Sequence, residues 1–211
     1  MPEHQPSPSK AELRRSLLQQ RNNLTPLQQQ QAALAVCGII TTQAWFQAAK
    51  HIAFYFPIAM ELDPLPIMRT ALAQQKKCYL PVITTLGDHN QQNQNHLLFV
   101  PCNTDTQLVA NKFNILEPAP MEHKLALPLA ELDIIFLPLV GFDQHGNRLG
   151  MGAGYYDATL TSLRSGVTHA PQLIGLAYTF QAVARIPCDP WDITIDGVVT
   201  ETGFTCLSAA V

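Results

Sequence analysis

Short apolar runs alternate along this chain with stretches of helical spacing, and that alternation limits its fold more than any other feature. Ile52-Ala53-Phe54-Tyr55-Phe56, Lys77 to Val82, His96 to Val100, Phe113-Asn114-Ile115-Leu116, Leu132 to Pro138, Leu173-Ile174-Gly175-Leu176-Ala177 and Gly197-Val198-Val199-Thr200 read as strands. Runs this short and this continuously apolar suit strands buried on both faces. The pattern implies a three-layer α/β/α fold with a mainly parallel central sheet, and it puts the ligand at the carboxyl ends of the strands. No repeat or linker divides the 211 residues, so one domain spanning 1–211 is expected, with residues 1–8 a disordered N-terminus. At 47% hydrophobic residues, the chain is long enough for one sizeable core.

The helices carry their own punctuation. Ser9 and Glu12 have capping-box spacing, and Leu13, Leu17 and Leu24 recur as an apolar stripe. Lys10, Arg14 and Arg21 form a second stripe about 100° away, which places cations at the rim of the buried face. Alone, such a stripe is more commonly a solvated helix face. Thr25 and Pro26 open a second helix running toward Thr41, and Asp63-Pro64 opens a third ending near Gln75. The polar stretch from Thr84 to Asn95 reads as a loop with a mobile tip.

Gly146-Asn147-Arg148-Leu149-Gly150-Met151-Gly152-Ala153-Gly154-Tyr155-Tyr156-Asp157 lies where a strand hands over to a helical pattern through Leu160 and Leu163. Glycines there let backbone N–H groups approach a ligand, a helix N-terminus adds partial positive charge, and Arg148 offers a fork for phosphate oxygens. The spacing is neither the P-loop, with its lysine and hydroxyl, nor the dinucleotide fingerprint. The glycines alone therefore leave a phosphate site and a plain turn equally open.

Net charge of −3 gives no basic footprint for nucleic acid and no polybasic patch for a membrane. No apolar run reaches the roughly 18 residues of a membrane span, and Met1 to Ser9 lacks the apolar centre of a signal peptide. A soluble, cytoplasmic monomer is expected. The five cysteines contain no Cys-x-x-Cys pair and read as reduced thiols, and the seven histidines are scattered. Asp189, Asp192 and Asp196, beside Trp191, have the bland reading of turn formers.

The full string is more specific than its glycines. Pro138, Phe142, Asp143, Gly146, Arg148, Leu149, Gly150, Gly152, Gly154, Tyr155, Tyr156 and Asp157 match in order the hallmark segment of the 5-formyltetrahydrofolate cyclo-ligases, Pro-x-x-x-Phe-Asp-x-x-Gly-x-Arg-Leu-Gly-x-Gly-x-Gly-Tyr-Tyr-Asp. Lys10-x-x-x-Arg14, Phe54-Tyr55-Phe56-Pro57 followed by Glu61, Glu117-Pro118 and the run from Gln181 to Glu201 extend the resemblance over most of the chain. Met151, Ala153 and Ala158 depart from it, standing where basic residues are frequent in that family.

The resemblance implies a fold like that of sugar-phosphate isomerases and CoA transferases. It also implies ATP binding by Lys10, Arg14 and the segment Arg148, Leu149, Gly150, Met151, Gly152, Ala153, Gly154, Tyr155 and Tyr156. Folate would lie against Phe56, Glu61 and Met151 to Tyr155, and Asp157 with Asp192 would hold Mg2+. Lys10, Arg14 and Arg148 would be catalytic, driving ATP-dependent closure of 5-formyltetrahydrofolate to 5,10-methenyltetrahydrofolate with release of ADP and phosphate. Two other readings stay open on the residues: a binding protein that consumes no ATP, and an isomerase or transferase on a similar fold.

Overall fold

The computed structural model describes residues 8–86, 94–164 and 169–207. The helices are α1 (Lys10–Asn22), α2 (Pro26–Thr41), α3 (Ala44–Ala48), α4 (Leu65–Ala73) and α5 (Tyr155–Leu160). The strands of the first half are β1 (His51–Ala53), β2 (Lys77–Leu86), β3 (Gln94–Cys102), β4 (Leu108–Ala110) and β5 (Leu116–Pro118). Those of the second half are β6 (Ile134–Pro138), β7 (Gly141–Phe142), β8 (Arg148–Leu149), β9 (Gln172–Leu176), β10 (Gly197–Thr200) and β11 (Gly203–Cys206).

Seven strands form the main sheet in the order β11-β10-β9-β6-β1-β2-β3. The five inner strands run parallel, and an antiparallel strand closes each edge. The centre is β6, where Ile134, Ile135, Phe136 and Leu137 are each no more than 1% exposed. A strand covered on both faces has no solvated side to alternate toward, so it is uniformly apolar. Burying each such side chain contributes ~1.5–3 kcal/mol. Helices α2, α3 and α4 cover one face through Val36, Ile40, Phe46 and Ile67. Leu160 of α5, with Ile193 and Ile195, covers the other. Among the described residues no helix is long and apolar enough to cross a membrane.

The chain leaves β1 toward β2 on one side and returns to β6 on the other, so the sheet order reverses between β1 and β6. At such a switch point the segments leaving two adjacent parallel strands diverge, and a crevice opens at their carboxyl ends. Here the backbone itself makes room for a ligand.

Several boundaries differ from the sequence reading, each for a local reason. β1 stops at Ala53, because the chain must leave the sheet before Pro57 to enter a tight turn at Ile58–Glu61. β2 and β3 reach into the stretch read as a loop, while its tip, 87–93, lies outside the described residues. The expected disordered N-terminus falls, except for Pro8, outside them as well. Phe113 to Ile115 form a turn rather than a strand. The Asn111 side chain accepts the amides of Phe113 and Ile115, and Asn114 adopts a left-handed φ of 59°. The glycine segment does not follow β6 directly but begins inside the small β7–β8 hairpin, and β11 had no signal beyond Phe204 and Cys206.

Candidate active site

The site begins at the two ends of α1. Ser9 caps the helix with the expected box: its Oγ accepts from the Glu12 amide, and the Glu12 carboxylate accepts from the Ser9 amide at 2.9 Å. The cap settles the helix phase, and the phase sends Lys10 and Arg14 toward the glycine loop while Leu17 is buried with Val140, Leu149 and Ile186. Arg14 Nε donates to the Gly150 carbonyl at 2.8 Å. Arg21 is not at the rim as its stripe implied. It is 1% exposed, because α1 lies flat across the β7–β8 hairpin and the stripe passes beneath it.

Asp143 ties the hairpin. Its buried carboxylate accepts the amides of His145, Asn147 and Ile186 and the Asn147 side chain, at 2.9 to 3.1 Å. Gly146 closes the turn at φ 79°, and a Cβ there would stand 2.7 Å from the Ile195 carbonyl. The hairpin delivers Arg148 into the interior, with a side chain only 5% exposed. Its Nη2 meets Asp157 Oδ1 at 2.6 Å and its Nε has no partner. Burial pulls the Arg148 guanidinium below its ordinary pKa, against the opposing charge of Asp157. Gly152 follows at φ 101° with the Arg14 guanidinium beside it. α5 proves to be a six-residue helix, so little dipole stands behind the loop and the side-chain cations dominate the field.

These residues share one cavity of about 740 Å³ at the switch point. One wall is polar: Lys10, Arg14, Arg148, the loop from Leu149 to Gly154, Asp157 and Asp192. The lining also has an apolar set, Phe56, Ile58, Pro81, Ile83, Leu97, Ile115 and Leu116. Tyr155 and Tyr156 line the cavity as well, with Phe113 edge-on to Tyr155 at 6.1 Å and the Arg148 guanidinium 6.0 Å above the Tyr156 ring. Burial raises the Tyr156 phenol well above its ordinary range, so it stays protonated. Every expected site residue therefore lines this cavity, although the Leu149 side chain is turned into the core.

The two aspartates expected to share an ion both hold cations. Lys10 Nζ lies 2.6 Å from Asp189 Oδ2 and 2.6 Å from Asp192 Oδ2. Burial of Lys10 would lower its pKa, but the two carboxylates together raise it. Asp157 pairs with Arg148 and also accepts the Ile193 amide at 3.2 Å, which brings it to the residue next to Asp192. Among the described residues no three His, Cys, Asp or Glu side chains gather into a metal cage. Asp189 is thus not a mere turn former. It was missed because nothing in its local sequence distinguishes it from Asp196, which accepts the Leu173 amide at 2.7 Å. Trp191, 63% exposed, and Asn111 and Phe113 on the connection between β4 and β5 also line the cavity and were missed too, since only the fold carries them there.

Glu61 also lines the cavity and is 8% exposed. It is delivered by a turn in which Ala59 and Met60 both take left-handed φ values, 45° and 61°. Such conformations cost about 1–3 kcal/mol each in a non-glycine residue. The Glu61 amide donates to the Ile58 carbonyl at 2.9 Å, and the Ile58 amide donates to Glu61 Oε2 at 3.1 Å. Burial raises the carboxyl to about 7, with the Ile58 amide and the charge of Arg21 pulling the other way.

The family described as "5-formyltetrahydrofolate cyclo-ligase family" matches residues 6–201. A 5-formyltetrahydrofolate cyclo-ligase of Haemophilus influenzae is 38% identical over 184 residues, covering 87% of this chain and 93% of its own. One from Mus musculus is 30% identical over 200 residues, covering 92% and 94%. The NMR structure of Aquifex aeolicus 5,10-methenyltetrahydrofolate synthetase superposes with a TM-score of 0.75 at 31% identity, over 96% of this chain and 94% of that one. With its motif residues gathered on one cavity and a match along nearly its whole length, the chain belongs to the 5-formyltetrahydrofolate cyclo-ligase family of enzymes.

Proposed function

We propose that this enzyme converts 5-formyltetrahydrofolate and ATP to 5,10-methenyltetrahydrofolate, ADP and phosphate in the cavity between β1 and β6. One observation carries the reading. Three cations distant in sequence, Lys10, Arg14 and Arg148, converge with an open glycine loop on the lining of one cavity that also holds many apolar side chains and a buried carboxylate. The cations suit a polyanion, and the apolar lining with its carboxylate suits a flat heteroaromatic ligand.

The formyl oxygen attacks the γ-phosphorus, the bond to the β,γ-bridging oxygen breaks, and ADP leaves. N10 then attacks the activated formyl carbon, phosphate departs with the former formyl oxygen, and the N10 proton leaves with it. The transfer calls for alignment and positive charge more than for a protein base. Arg148 is suited to the γ-phosphate because it is desolvated and its hairpin is tied down by Asp143. Lys10 and Arg14 would take the remaining phosphate oxygens, with the loop amides from Gly150 to Gly154. Phe56, Tyr155 and Glu61 would hold the folate.

Asp157 and Asp192 fit magnesium by their chemistry: an ion on a nucleotide needs only one or two carboxylates, with phosphate oxygens and waters completing the octahedron. Bound there, it would neutralise developing phosphate charge. In exchange, Lys10 and Arg148 would pass from the aspartates to the phosphates. The test is near-ultraviolet absorbance of the methenyl product with folate, ATP and magnesium, against a parallel cuvette without ATP. Product only with ATP supports the proposal; product without ATP, or none despite bound ligands, overturns it.

A further inference from the structure

Glu117 belongs to a segment that extends the family resemblance, yet it does not line the cavity. It is 9% exposed on β5, and among the described residues no cation pairs with it. Burying a carboxylate in that way is unfavourable unless its hydrogen bonds serve some purpose. What it holds is Asn111. Asn111 Nδ2 donates to Glu117 Oε2 at 2.8 Å, and the Ile83 amide of β2 reaches the same oxygen at a longer 3.4 Å. An ionised carboxylate only accepts, so the end of Asn111 that faces it must be the amide nitrogen. The other end, Oδ1, then accepts the amides of Phe113 at 2.9 Å and Ile115 at 3.1 Å. Backbone bonds close the same turn: the Asn111 amide donates to the Ile115 carbonyl and the Asn114 amide to the Asn111 carbonyl, both at 2.9 Å.

These bonds place the turn at 111–115 on the site. Asn111, Phe113 and Ile115 line the cavity, together with Pro81 and Ile83 of β2. Phe113 is 52% exposed and, among the described residues, joins none of the core clusters. Its ring meets only the edge contact with Tyr155 at 6.1 Å and Lys112 Nζ at 5.1 Å. Core packing therefore does not hold the ring, and the shape of the turn must. The Ile83 amide ties the same Glu117 oxygen to β2, so the turn is fixed relative to the sheet as well as within itself.

We infer that Glu117 is a positioning residue: acting through Asn111, it fixes the turn that sets Phe113 and Ile115 on the cavity lining for the flat heteroaromatic part of folate. The inference rests on the folate reading of the cavity. Glu117 thereby acts on folate binding without touching folate. Its hydrogen bonds run to β2 and to its own hairpin, none of them to Lys10, Arg14, Arg148 or the glycine loop, so its loss should fall on folate and spare the nucleotide.

The experiment measures the affinity of the full chain for 5-formyltetrahydrofolate and, separately, for ATP by calorimetric titration. The variants are Phe113→Ala, Glu117→Ala, Glu117→Gln, Asn111→Ala and the double variant Phe113→Ala with Glu117→Ala, each checked by circular dichroism. Phe113→Ala should weaken folate binding about tenfold, and Glu117→Ala and Asn111→Ala about fivefold each, while ATP affinity stays within about twofold of the wild type. Glu117→Gln keeps a carbonyl that can accept from Asn111 and should hold folate within about twofold of the wild type. The double variant should bind folate no more than about twofold more weakly than Phe113→Ala alone, because Glu117 then has no ring to place. Loss factors that multiply in the double variant, or folate and ATP affinities that fall together, overturn the inference, since a general role in stability would give both. Folate binding unchanged in Phe113→Ala, or in both Glu117→Ala and Asn111→Ala, overturns it as well. If Glu117→Ala does not fold, Asn111→Ala and its own double variant with Phe113→Ala carry the same test. A wild type that fails to bind 5-formyltetrahydrofolate sinks the folate reading and the inference with it; a wild type that binds it as tightly as Glu117→Ala and Asn111→Ala do sinks the inference alone.

Discussion

At the residue scale the site is a set of charges kept where water would not leave them. Arg148 and Glu61 are the clearest cases. Arg148→Ala removes a desolvated cation aimed at the cavity and should lower turnover by about a hundredfold or more while circular dichroism stays native. Steady-state kinetics on the folded variant check this, and wild-type turnover would refute it. Glu61 makes a stability prediction with a definite sign. Its carboxyl is raised to about 7, so between about pH 4.5 and 7 the folded chain keeps a proton that the unfolded chain has released. Stability from this group is complete at the acid side of that window and is lost as pH rises through it, by up to about 3 kcal/mol. Glutamine cannot titrate. The melting temperature of Glu61→Gln relative to wild type should therefore rise by about 5–10 °C between about pH 5 and 8 without ligand. A difference that does not vary with pH would contradict the burial argument.

At the element scale, legibility followed local chemistry. The starts of α1 and α2 could be read because their signals are local, Ser9 with Glu12 and Thr25 with Pro26; both caps form, the second as a box that Gln28 completes. The buried strands could be read because continuous apolar runs have few alternatives. The turn at Phe113 to Ile115 could not, since one asparagine side chain overrides four residues of strand-like composition. The left-handed turn before Glu61 carries neither glycine nor asparagine, and so gave no sign of itself. In the candidate site, the residues inside the hallmark string were legible as a group. Asp189 and Arg21 were not, because the first acquires its partner from 179 residues away and the second is buried by a hairpin whose docking no helical pattern describes. The cap of α1 also links stability to function. Ser9→Ala should cost about 1 kcal/mol, or about 2–4 °C in melting temperature, and should raise the KM for ATP more than that for folate, since Lys10 is the first helical residue. Calorimetry and paired kinetics test both halves, and equal effects on the two substrates would count against the link.

At the scale of the whole molecule, the doubly wound sheet brings the charge-bearing segments together from both halves of the chain. α1 lies across the second-half hairpin, the loop after β1 supplies Glu61, and the segment before β10 supplies Asp189 and Asp192. On the lining of the cavity Lys10, Arg14 and Arg148 are matched by Glu61, Asp157 and Asp192, and Asp189 is paired with Lys10 beside it. A mouth that is already electrically balanced, on a protein of net charge −3, has no field with which to draw a polyanion in from a distance. Nucleotide capture should therefore depend on diffusion and on local exchange of ionic partners rather than on long-range steering. Its bimolecular rate, measured by stopped flow, should change less than about threefold from low to physiological ionic strength, where a strongly steered association would fall by about tenfold or more.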